Sequence, residues 1–329
     1  MSQTQIETSK PADITETTTG LHVILAVSIS CMFWVLAVKP FTSYTPNLFS
    51  KYAGICFMAA LAFVLCTVLT YTKLYANSLA DDGVFAAVKM WSLFAGIAAI
   101  EFFVIKSSMH TGNLGTGFFN AYTITIFLIF AANILEASVT SFINRDKPEA
   151  DGVTEAPEVP IVNFVNGLVL VLTLCIMYYR GHRMGTHDDS SALYMTSNLG
   201  LPFILAYTFW NALFVMELGT LPTLLNICST LVMPIIVQYT GCGDWLHSRA
   251  ISLLFFIFVL HGLGQGDADL LPMYNYNSDS AISKADKIRM TFDGPLGGLQ
   301  ESKGAKYTMI ALSTLFSCLA LFRELSYLL

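Results

Sequence analysis

Charge is what this chain has least of: of 329 residues only 12% are Asp, Glu, Lys or Arg, against roughly a quarter in soluble globular proteins. That scarcity argues against a soluble cytosolic enzyme. Basic residues are scarcer still, 17 Lys plus Arg against 23 Asp plus Glu for a net charge of −6, so no basic stripe exists for nucleic acid to neutralise. Metal-ligand spacings such as His-x-x-x-His or Cys-x-x-Cys are missing, as is a Gly-x-Ser-x-Gly nucleophile elbow, and nothing in these patterns specifies a cofactor. His182, His187, Asp188 and Asp189 share one connection and read as a solvated loop. Of the 7 cysteines only Cys242 lies in a polar stretch; the others sit inside apolar runs as small packing residues.

Long hydrophobic runs, by contrast, are abundant, since 54% of the residues are apolar. A helix needs about 20 apolar residues to cross a hydrocarbon core about 30 Å thick. Segments near 21–38, 53–72, 84–105, 117–143, 161–179, 198–217, 220–240, 249–264 and 307–328 approach that length. The expected architecture is therefore all-α, a polytopic transmembrane helix bundle of about nine spans embedded in a lipid bilayer. Residues 1–19, rich in Thr, Ser and Glu, read as a disordered tail, and 20–329 as one transmembrane domain with a long polar loop at 265–306. With the N-terminal face called side A, short connections carry 7 Lys and Arg on side B against 4 on side A, which points to a cytoplasmic C-terminus.

Polar side chains inside spans are expensive and carry the functional information. Alternating span direction turns sequence position into depth, and Lys89, Glu136, Asn166, Asn211, Asn226 and His261 then fall roughly 5–10 Å below the side A boundary. Asn133 with Glu136, Asn163 with Asn166, and Tyr207 with Asn211 each project from one helix face, being three or four residues apart. The expectation is a polar pocket opening toward side A, with Lys89 and Glu136 as its ion pair, while Glu101, Gln238 and Arg323 lie toward side B and outside it. Pro234 frees the carbonyl near Thr230 and predicts a kink. Trp245 fits an interfacial anchor, and Trp210 a lid beside Asn211.

Four motifs carry a resemblance: Asn133-Ile-Leu-Glu136-Ala137, Asn163-Phe-Val-Asn166-Gly167, Ala206-Tyr207-Thr-Phe-Trp210-Asn211 and Trp245-Leu-His247-Ser248-Arg249-Ala250. In this order they resemble a family of multi-pass membrane proteins, widespread in bacteria and catalogued only as a domain of unknown function, over residues 84–260. The resemblance implies a shared fold and a shared use of Glu136, Asn166, Asn211 and Arg249. It gives His247 no role, because the family places His directly before Arg and Ser248 intervenes here. The expected activity is binding or transport of a small polar solute; the alternatives are an intramembrane lipid-modifying enzyme and a scaffold docking a protein partner through 265–306.

Overall fold

The computed structural model describes residues 60, 63, 64, 66, 67, 81–109, 114–144, 158–188, 193–218, 226–241, 243–262 and 303–329. The 1–19 tail, the first expected segment, nearly all of the second, and the loop as far as residue 302 lie outside them. The described helices are α1 (Asp81–Met109), α2 (Thr116–Asn144), α3 (Glu158–Tyr179), α4 (Leu201–Leu218), a π-helical stretch (Ile227–Val232) running into α5 (Met233–Tyr239), α6 (Trp245–Gly262) and α7 (Lys303–Ser326). They coincide with the third to ninth expected segments.

Four of these, Met90–Met109, Thr116–Ile143, Val159–Tyr179 and Gly304–Ser326, are long and apolar enough to cross a membrane, and 201–216 and 227–239 are shorter apolar helices. How their faces are used follows from the solvent. On α3 the exposed side chains Ile161, Val165, Leu168 and Leu172 form one stripe of large apolar residues, a face suited to a lipid bilayer. On α7 Leu315, Leu319 and Phe322 face outward, whereas Ser313, Ser317, Ala320 and Glu324 are buried. Small and polar residues inward with large apolar ones outward is the packing of helices that a bilayer surrounds.

Hydrogen bonds fix the relative directions. Asn166 Nδ2 donates to Ser313 Oγ and Thr314 Oγ1 at 3.2 and 3.0 Å, and Arg180, just past α3, pairs with Glu324 near the end of α7, so α3 and α7 run parallel. Gly200 at the start of α4 meets Arg323, so α4 runs against α7. Phe142 of α2 stacks near Phe164 of α3 and Phe127 near His182, making that pair antiparallel. The alternation assumed from loop order therefore holds for these helices.

The α3–α4 connection is more than a solvated loop. Gly181, at φ +83°, ends α3 by letting Gly181 N–H reach Tyr178 O and His182 N–H reach Met177 O, both at 3.0 Å, a Schellman cap that needs a left-handed residue. Strands β1 (Gly185–Asp188) and β2 (Leu193–Thr196) then form an antiparallel hairpin with His187 opposite Tyr194, their rings 4.6 Å apart. Leu193, Tyr194 and Met195 are buried; this apolar triplet, too short to span anything, packs at the end of the bundle where α3 stops and α4 begins. The hairpin is the single departure from helix among the described elements. Before Pro234, which has no N–H to donate, the Met233 N–H bonds back to Cys228 O, five residues away, so the ladder widens to a π-helical bulge at this point.

Candidate functional site

The α6 N-terminus organises the site. Asp244 Oδ1 accepts the N–H groups of Leu246 and His247 at 2.9 and 3.3 Å, satisfying donors that a helix start leaves orphaned. The same carboxylate accepts Ser197 N–H at 2.7 Å and Ser197 Oγ–H at 2.8 Å, tying the hairpin to α6. Burial pushes the Asp244 carboxyl above its ordinary range, and the hydrogen bonds from Ser197 and the His247 N–H pull against it.

Three consecutive positions then point in different directions. His247, fully buried, accepts the Met195 N–H on Nδ1 at 3.4 Å, which places its proton on Nε2, 2.6 Å from Glu101 Oε1. Ser248 is buried with no partner for its hydroxyl among the described residues. Arg249, only 3% exposed, donates from Nη2 to Asn211 Oδ1 at 3.1 Å, and its Cζ lies 5.7 Å from the Tyr207 ring centre. Nε and Nη1 of this guanidinium have no partner among the described residues.

Arg249 lines a cavity of about 60 Å³ whose wall also includes Gly96, Phe130, Asn133, Tyr207 and Leu253. By residue position it sits near the middle of α1 and α2. Gly96 makes the close approach possible: a Cβ there would lie 3.2 Å from Ile129 Cγ2. Aromatic rings close the side beneath Arg249, with Tyr207 5.1 Å from both Phe130 and Trp245. Trp245 is therefore no interfacial anchor: it is 0% exposed, because the residues expected to precede its span form the first turn of α6. Trp210 is equally buried and donates Nε1–H to Asn163 O at 3.0 Å.

The expected pocket residues divide into groups. Asn133 and Tyr207 line the cavity and Asn211 holds its arginine. Asn166 bridges α3 to α7, and Asn226 accepts the Thr230 hydroxyl within its own helix at 2.7 Å. Asn163 is buried with its side-chain amide unpartnered among the described residues. Glu136, half-buried and partnered, stands one turn from Asn133; the side chains of Lys89 and His261 lie outside the described residues. Glu101, expected to stand apart, is 2% exposed and bound to His247. Reading α6 from residue 249 put Arg249 and His247 in a connection; an α-helical repeat begun at Trp245 would have set Trp245 and Arg249 on one face. Among the described residues no three His, Cys, Asp or Glu side chains converge as a metal site requires.

Four helices long and apolar enough to cross a membrane mark an integral membrane protein, with a buried guanidinium at the wall of a cavity between its helices. The chain belongs to a family of unknown function (DUF5692), whose model matches residues 21–271, a longer stretch than the four motifs span. No curated protein and no solved structure matches it.

Proposed function

We propose that the protein is a polytopic membrane protein of about nine spans that binds a small solute beside Arg249 and passes it across the bilayer. One observation carries this reading: a guanidinium 3% exposed, with two nitrogens unpartnered among the described residues, sits at the wall of a cavity of about 60 Å³. Removing such a cation from water costs several kcal/mol, and a single hydrogen bond to Asn211 with a tyrosine ring nearby returns only part of it. A ligand offering acceptors would return the rest. The volume is about that of two waters, sufficient for the polar head of a solute whose remainder reaches out of the cavity.

Helix gluing accounts for Asn166 and Asn226, whose hydrogen bonds are spent on neighbouring residues. It leaves Arg249 unexplained. In the full proposal residues 20–329 form one transmembrane domain, the C-terminus is cytoplasmic, and Asn133, Tyr207 and Asn211 orient the solute together with Arg249. Thermal unfolding of the full chain in non-ionic detergent, against carboxylates, amines, amino acids and sugars, tests it. At least one class should raise Tm saturably in the wild type and fail to do so in Leu253→Trp, which fills the cavity. A panel that moves neither protein refutes solute binding.

A further inference from the structure

The guanidinium also specifies its ligand. We propose that the solute is a monocarboxylate with an apolar body, its carboxylate held by Arg249; this rests on the binding reading above.

A guanidinium has two edges, each offering a parallel pair of N–H donors: Nε with Nη2, and Nη1 with Nη2. Asn211 Oδ1 occupies one Nη2 hydrogen, and whichever edge that hydrogen belongs to, the other edge remains complete. Nε and Nη1 are both unpartnered among the described residues. The free edge, buried behind the cavity wall, matches the two oxygens of a carboxylate once the side chain turns into the cavity, the bidentate geometry for which arginine is suited and lysine is not. The rest of the wall sets the net charge and the body. Among the described residues it is, apart from Arg249, Asn133 and Tyr207, aliphatic, glycine or phenylalanine, with Leu93, Ile100 and Leu253 among its members. An amino acid would bring an ammonium that meets no carboxylate among the described residues of this wall, and a dianion a second charge with one described cation to face; both are costly in an apolar surround. A single negative charge on an apolar stem satisfies every part.

The stem has two sources, a free short-chain acid or an acyl chain released from lipid, and they differ in length alone. The test compares butyrate, dodecanoate, butyramide, butylamine and chloride at matched ionic strength on the full chain in non-ionic detergent, reading Tm and calorimetric Kd. Butyrate or dodecanoate, or both, should stabilise saturably, and the amide, amine and chloride should not. Binding of dodecanoate alone assigns the lipid-derived source, and binding of butyrate the soluble one. Arg249→Lys should weaken Kd at least tenfold, and Leu253→Trp, folded by circular dichroism and gel filtration, should abolish binding even where the arginine variant does not fold. Equal binding of butyramide and butyrate overturns the carboxylate assignment while leaving a solute site standing. Silence across this set, with another class active in the broader panel, overturns the assignment alone; silence in both overturns the solute site as well.

Discussion

Glu101 and His247 form a buried pair whose two halves should be unequal when removed. Both are at most 3% exposed at the side chain, with Nε2 to Oε1 at 2.6 Å. With Nδ1 accepting the Met195 N–H, Nε2 is the nitrogen that donates to Glu101. Glu101→Leu then strands an imidazole N–H, a loss of about 1–3 kcal/mol. His247→Leu strands a carboxylate whose Oε2 already lacks a partner among the described residues, a loss of about 3–5 kcal/mol. The gap of about 2 kcal/mol corresponds to roughly thirty-fold in the unfolding equilibrium. The double variant should be more stable than His247→Leu alone, since it removes the orphaned charge along with its partner. Equilibrium unfolding in mixed micelles of a mild detergent and sodium dodecyl sulfate, followed by tryptophan fluorescence, measures all four proteins. Glu101→Leu costing as much as His247→Leu, or more, would mean that the carboxylate is not the costlier orphan and would refute the reasoning.

Other positions separate packing from polarity. A Cβ at Gly167 would lie 2.0 Å from Ser138 Oγ and 3.2 Å from Trp210 Nε1, so Gly167→Ala should cost about 1–3 kcal/mol, with Ser138→Gly recovering part of it in the same unfolding assay. Trp210 donates Nε1–H to Asn163 O whereas Trp245 Nε1 has no partner among the described residues, so Trp210→Phe should lower stability by about 1 kcal/mol more than Trp245→Phe. Burial raises the Asp244 carboxyl above its ordinary 3.8, so just above that pH the folded chain holds this proton more tightly than the unfolded one. Its contribution is full below about pH 3.8 and declines as pH rises through the native value; Asp244→Asn should flatten that part of a Tm-against-pH profile.

Helix positions were legible because long apolar runs state them directly, and the lipid-facing stripe of Ile161, Val165, Leu168 and Leu172 follows the helical repeat. Alternation of direction was legible too, as the antiparallel α2–α3 and α4–α7 pairs show. What hydropathy hid was the partner across the bundle. Glu101 and His247 are 146 residues apart, and neither periodicity nor spacing links them. Arg249 was hidden for a related reason: a charge beside Gly241, Gly243 and Asp244 reads as the end of a connection, yet Asp244 caps α6 there and carries the arginine inside. The hairpin escaped because Leu193, Tyr194 and Met195 are too few for a period-two pattern. Pro234 announced a break in the α-helical ladder, and the structure shows it as a π-helical stretch just before the proline, with Ser229, Thr230 and Leu231 buried.

The most direct measurement is a density map of the full chain in lipid nanodiscs, resolved well enough to place side chains and bound molecules around Arg249. It should show non-protein density within hydrogen-bonding distance of Nε or Nη1, in the space between Gly96, Asn133 and Leu253. A guanidinium paired with a carboxylate of the chain itself, with side chains filling that space, would contradict the existence of a ligand site.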